Sequence, residues 1–176
     1  MGNREIGFGI IGCGMISSWH AQAIIKTQDA RLIAVTDVNE KSRNDFAKEF
    51  DAEAVSTVEE LLSRDDIDII CICTPSGLHA LLAIQAANAG KHIVVEKPMA
   101  ITMKEADDII TACKVNNVKM AVISQLRFTD AIQKLKRAVD SGILGKLVTG
   151  DIYMKFFRSQ EYYNKGGWRG TWKMDG

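Results

Sequence analysis

No excess of charge of either sign marks this chain: 22 lysines and arginines stand against 22 aspartates and glutamates. No global field therefore recruits nucleic acid or an anionic membrane, and any anionic ligand must be held locally. No apolar run reaches the ~18 residues that a membrane span needs. The start, "MGNREIGFGIIG", lacks the charged and apolar segments of an export signal, so a cytoplasmic protein is expected. N-myristoylation is excluded as well, because Ile6 stands where the motif after Met-Gly needs Ser or Thr. Cysteine is sparse and unpatterned. Cys13, Cys71, Cys73 and Cys113 form no CxxC and no metal-ligand spacing, so they read as reduced core residues and no metal is expected. Internal repeats and low-complexity segments are absent too.

What is present is ordinary globular composition, 47% hydrophobic and 25% charged, in 176 residues. That length holds one full domain and part of another. Short apolar runs alternate with amphipathic segments as βαβ units do. "EIGFGIIG", "ARLIAVTD", "EAVS", "DIDIICICTP", "KHIVVEKP" and "VKMAVIS" read as six strands. Between them lie helices: "MISSWHAQAIIKTQ", with Ile16, Trp19, Ala23 and Ile24 at helical spacing; "NEKSRNDFAKEF", burying Phe46 and Phe50; "VEELLSR", opened by a Thr57 to Glu60 capping box; "LHALLAIQAANAG"; and "TMKEADDIITACKVNN". "DAIQKLKRAVDSG" is a last helix. The fold class is α/β, a doubly wound parallel sheet over residues 1–124. Residues 125–176 read as a linking helix and the truncated start of a second domain, with a longer strand in "GKLVTGDIYMKFF".

"GIIGCGMIS" sets Gly12, Gly14 and Ser17 in the positions of a G-x-G-x-x-G fingerprint, between a strand and a helix. The first glycine permits a tight turn, the second lets backbone approach a pyrophosphate, and the third position needs a small residue for close helix packing. The helix N-terminus offers free N–H groups to phosphate, which makes Cys13, Met15 and Ile16 neighbours of the cofactor. Asp37 closes the second strand, where a carboxylate binds ribose hydroxyls and repels a 2′-phosphate. NAD is expected over NADP, a preference that Arg43 softens.

"GIIGCGMIS", then "CICTPSGLHALLAIQAANAGKHIVVEKPMAIT", then "QLRF", resembles the Gfo/Idh/MocA family of nicotinamide-dependent oxidoreductases. The resemblance implies a Rossmann domain followed by an α/β domain with an open, mainly antiparallel sheet. It implies a sugar or polyol dehydrogenase that oligomerises through that second sheet when full length. By position, Thr74, Pro75, Ser76 and His79 match the family's cofactor-lining loop, Glu96 and Lys97 the pair beside nicotinamide ribose and substrate, and Gln125 and Arg127 the segment after the sixth strand. The tail "YYNKGGWRGTWKMDG" resembles that of UDP-N-acetylglucosaminuronate 3-dehydrogenases of polysaccharide biosynthesis. There Trp168 and Arg169 match a pair that approaches the cofactor, while Tyr162, Arg169 and Thr171 are candidates for a substrate carboxylate or phosphate. The further catalytic partners that the family carries are expected beyond residue 176.

Lys97 is the expected catalytic residue, standing at the carboxyl end of a parallel strand where such folds bind ligands. Beside a positive nicotinamide its neutral amine serves as general base, or its ammonium stabilises a developing alkoxide. Pro98 restricts Lys97 to extended backbone. His20 reads as a packing or surface residue and His92 as structural. Tyr162, Tyr163, Trp168 and Trp172, interleaved with Gly166, Gly167 and Gly170, form either a packing corner or a loop over a ligand. The expected function is hydride transfer between a nicotinamide cofactor and a sugar ring hydroxyl, at carbon 3 of a UDP-N-acetylhexosaminuronate, with this stretch alone inactive. The alternatives are a polyol or inositol dehydrogenase and a non-catalytic NAD(P)-binding sensor.

Overall fold

Along strand β4 (Ile69–Ile72) successive side chains part to opposite sides of the sheet. Ile70 and Ile72 enter one buried cluster, Cys71 and the following Cys73 the other. A computed structural model of residues 5–164 and 167–176 describes this arrangement; the Met-Gly start and Gly166 lie outside the described residues. The sheet is entirely parallel, in the order β3-β2-β1-β4-β5-β6. The other strands are β1 (Ile6–Ile11), β2 (Ala30–Thr36), β3 (Glu53–Ala54), β5 (His92–Val95) and β6 (Met120–Val122). A parallel sheet needs cover on both faces. Helices α1 (Met15–Lys26) and α2 (Glu40–Glu49) supply Ala21, Ile24, Phe46 and Ala47 to one face. Helices α3 (Val58–Leu62), α4 (His79–Asn88) and α5 (Met103–Val115) supply Leu61, Leu82, Ala83 and Ile109 to the other. Each buried Ile or Leu contributes about 1.5–3 kcal/mol over its exposed state.

Two local readings are corrected. The buried stripe of α1 is Ser17, Ala21 and Ile24, while Ile16, Ala23 and Trp19 are exposed. Small residues, Ser17 and Ala21, form the part of that inner face nearest the glycine loop, and Ile24 follows towards its far end. At α3, Thr57 accepts the Glu60 N–H at 3.0 Å, but the Glu60 carboxylate reaches back to the Ser56 N–H at 2.9 Å instead of to that of Thr57. The reciprocal capping box forms at α5, between Thr102 and Glu105. Phe46 and Phe50 do meet, ring centroids 4.6 Å apart.

The chain divides into two units. One runs to Ile123 and takes back Gly170–Gly176; the other is Ser124–Arg169. Segment 170–176 makes its internal contacts with the first unit. It is a tight turn: the Thr171 carbonyl accepts the N–H groups of Met174 and Asp175 at 3.3 and 2.9 Å, and the Asp175 carboxylate accepts the Gly170 N–H at 2.7 Å. Gly77 donates its N–H to the Met174 carbonyl at 3.0 Å, and a Cβ on Gly77 would lie 2.5 Å from the Lys173 carbonyl oxygen. The second unit holds helices α6 (Asp130–Asp140) and α7 (Gln160–Asn164). The strand expected across residues 145–157 is absent from the described residues, which there adopt no regular structure and are exposed. Alternating side chains make a strand only when its N–H and C=O groups find a neighbouring strand.

Candidate active site

The reversal of strand order falls between β1 and β4, and ligands of open α/β sheets bind beyond the carboxyl ends of strands at such a point. The glycine loop leaves β1 there. Gly12 has φ +95°, and a Cβ on it would lie 2.9 Å from the carbonyl carbon and oxygen of Cys73. Only glycine fits both the conformation and the space. A Cβ on Gly14, by contrast, would meet nothing within 4 Å, so the second glycine faces open volume at the start of α1. Ser17, wholly buried, satisfies its hydroxyl by donating to the Gly14 carbonyl. That bond explains how serine occupies the third fingerprint position: it is small enough to pack and brings no unpaired polar atom.

Asp37 fastens this loop to the end of β2. Its Oδ2 accepts the Cys13 N–H at 2.7 Å, and its Oδ1 accepts the Asn39 N–H at 2.7 Å. Arg43 donates from Nη1 to the Asp37 carbonyl at 3.0 Å. Burial, and next the Asp37 charge, push the Cys13 thiol up to about 12, so it stays protonated. Met15 and Ile16 are exposed beside the loop.

Beyond β4, a 3-10 turn over Ser76–Leu78 leads into α4. Thr74 and Pro75 are half-buried and Ser76 is buried. His79 is 1% exposed, with Nδ1 2.7 Å from the Pro98 carbonyl and Nε2 2.9 Å from the Thr74 carbonyl. Its ring braces the turn after β4 against the loop after β5.

Beyond β5, Glu96 is buried, Lys97 is exposed, and the Lys97-Pro98 peptide is cis. The Glu96 carboxylate has two partners: Oε1 lies 2.9 Å from His20 Nε2, and Oε2 accepts the Lys97 N–H at 3.3 Å. Burial works against the Glu96 charge, but the His20 hydrogen bond and the neighbouring charges outweigh it and hold the carboxyl below its ordinary value. The sequence reading missed His20. The pair spans 76 positions in the chain, and no local signal announces it.

Gln125 and Arg127 lie on an exposed 3-10 turn of the second unit. Within that unit Tyr162, Trp168 and Arg169 come together, the Arg169 guanidinium 4.7 Å from the Tyr162 ring centroid and 5.0 Å from that of Trp168. Arg158 lies over Tyr162 as well, at 5.1 Å. Thr171 and the exposed Trp172 belong to the turn of the first unit.

The site fits a dinucleotide. An open cradle lies over Gly14, the Asp37 carboxylate stands at the end of β2, and two buried polar atoms, Thr74 Oγ1 and Arg43 Nε, have no partner among the described residues. Fold and loop define an NAD-binding Rossmann domain. Residues 6–124 match the model of the GFO_IDH_MocA oxidoreductase family, NAD-binding Rossmann fold, and the chain belongs to that family. It is similar over its whole length to the WlbA dehydrogenase from Bordetella pertussis, solved in complex with NADH and UDP-GlcNAcA, at 35% identity and a TM-score of 0.91, spanning 53% of that chain. It is 34% identical over 157 residues to Oxidoreductase P35 of Formosa agariphila, which is 88% of this chain and 49% of that protein. It is 32% identical over 139 residues to the myo-inositol 2-dehydrogenase of Thermotoga maritima, 78% of this chain and 42% of that protein. The chain thus spans about half the length of the curated relatives it matches. No helix among the described residues is long and apolar enough to cross a membrane.

Proposed function

We propose that the protein is an NAD-dependent dehydrogenase acting on a CH-OH group of a sugar ring, with carbon 3 of a UDP-linked N-acetylhexosaminuronate as its target. The observation that carries this reading is the whole-chain likeness, at 35% identity, to a dehydrogenase solved with NADH and UDP-GlcNAcA. The 34% identity to an oxidoreductase and the 32% identity to an inositol dehydrogenase support the wider class.

NAD supplies the hydride acceptor. The chain's own residues supply the rest. Main-chain N–H groups at Gly14, Met15 and Ile16 hold the pyrophosphate over the turn made by Gly12 and Cys13, whose own N–H groups go to the Thr36 carbonyl and to Asp37; Asp37 holds the adenosine ribose, and Thr74, Pro75 and Ser76 line the path towards the nicotinamide end. His79 sets that path by bracing its loop. Lys97 takes the proton of the sugar hydroxyl or stabilises the alkoxide as charge develops. Glu96, Gln125, Trp168 and Arg169 complete the cofactor's surroundings. Arg127, Tyr162, Arg169 and Thr171 recognise the substrate's carboxylate and phosphates, since Arg pairs bidentately with such groups. On this reading residues 1–124 are the dinucleotide domain, and residues 125–176 begin a substrate and oligomerisation domain with an open, mainly antiparallel sheet.

The test is a screen of the complete protein for NADH formation with UDP-N-acetylhexosaminuronates, inositols and free sugars, each with NAD and NADP. Turnover on the UDP-uronate with NAD is expected. Preference for an inositol would move the assignment to a polyol dehydrogenase. Tight NADH binding without turnover on any of them would leave a cofactor sensor.

A further inference from the structure

His20 and Glu96 tie the start of the dinucleotide cradle to the loop that carries Lys97. His20 lies on α1, which begins at the glycine loop, and Glu96 directly precedes Lys97. Their side chains are 10% and 8% exposed, and His20 Nε2 lies 2.9 Å from Glu96 Oε1. The other carboxylate oxygen accepts the Lys97 main-chain N–H. For this geometry His20 must donate from Nε2, because an ionised carboxylate only accepts. On the far side of the same loop the Pro98 carbonyl lies 2.7 Å from His79 Nδ1. The backbone on either side of Lys97 is therefore gripped by two buried imidazoles, one through Glu96 and one directly.

We infer that His20 is a positioning residue for Lys97: acting through Glu96, it sets the main chain from which the lysine projects and couples that placement to the helix that heads the phosphate loop. The inference rests on the reading that Lys97 serves the transferred proton. A bond to charge inside the fold, with few competing donors, is stronger than one at the surface. The groups facing Glu96 are His20 from α1, Lys97 from its own loop, the thiol of Cys71 from β4 and that of Cys73 just after it. The thiols stay neutral, burial pushing Cys71 up to about 12 and Cys73 higher still.

The experiment compares wild type, His20→Ala and His20→Gln in the complete protein; glutamine keeps a donor where Nε2 stood. Two readouts are taken. The first is the 13C resonance of reductively dimethylated Lys97, which reports its surroundings without turnover. His20→Ala should shift it and His20→Gln should restore it. The second is kinetic. His20→Ala should lower kcat about tenfold while NADH affinity stays within about threefold, and His20→Gln should recover most of kcat. The inference is overturned if the Lys97 resonance is the same in wild type and His20→Ala, or if alanine and glutamine variants lose kcat equally. Loss of NADH affinity by the same factor as kcat would overturn it too, since that marks a collapsed cradle. If wild type oxidises no sugar the functional proposal falls, and the Lys97 resonance still decides the role of His20.

Discussion

The Asp37 carboxylate receives the main-chain N–H of Cys13 at 2.7 Å, so the acid at the end of β2 is a strut of the glycine loop as well as the ribose ligand proposed above. Asp37→Ala removes both functions. NAD affinity should fall about tenfold, and discrimination against NADP should shrink because the repelling charge is gone. Titration with each cofactor reads both effects. Unchanged selectivity would mean that Arg43, not Asp37, governs the choice.

Gly12 and Gly14 separate folding from binding. Gly12→Ala introduces a Cβ 2.9 Å from Cys73 backbone atoms at φ +95°, and should cost about 1–3 kcal/mol of stability besides weakening NAD binding. Gly14→Ala meets no neighbour, so its denaturation midpoint should match wild type while its NAD affinity falls. Equal midpoints for the two variants would contradict the description of the loop.

Lys97→Ala in the complete protein should leave NAD affinity within a few fold and lower turnover by about 100-fold or more, the usual scale of acid and base work. Single-turnover kinetics with saturating cofactor isolate the step. A rate equal to wild type would remove Lys97 from the chemistry.

Glu96 gives a dependence on pH whose sign is fixed. Its folded pKa lies below the ordinary 4.5, so its contribution to stability is fully present above that value and is lost as pH falls through the folded value. Glu96→Gln should cost about 1–3 kcal/mol near neutral pH, and the gap to wild type should close on acidification below about pH 4. Denaturant midpoints across that range measure it. A gap that stays constant would show that the carboxylate charge is not what stabilises the fold.

Gly77→Ala should detach the turn 170–176, because the added methyl would lie 2.5 Å from the Lys173 carbonyl oxygen. Proteolysis at Trp172 or Lys173 should quicken while the parallel sheet keeps its hydrogen-exchange protection. Equal cleavage rates would mean that the contact holds nothing in place.

The parallel sheet, the glycine loop and the standing of Lys97 were legible because each depends on short-range patterns. These are apolar runs with turn signals, glycines at fixed spacing, and a lysine before a proline at a strand end. What escaped depends on pairs distant in the chain. His20 shows no character until Glu96 is brought to it, and the Pro98 carbonyl that holds His79 lies 19 positions away in the chain. The inner face of α1 was misread in favour of large residues, although the requirement for a small residue at Ser17 implied close packing on the part of that face nearest the glycine loop. The absent strand in 145–157 has the same origin, since alternation names a face and pairing needs a neighbour.

The order of strands also works as a ruler. The glycine loop sits above β1 and Lys97 above β5, with β4 between them. At about 4.8 Å per strand, the two stations are roughly 10 Å apart across the sheet. On the proposed reading AMP or ADP, with its adenosine directed to Asp37, competes with NAD for the cradle while leaving the lysine's surroundings untouched, and the second nucleoside of a dinucleotide, on the other side of the phosphates, is the part that runs towards Lys97.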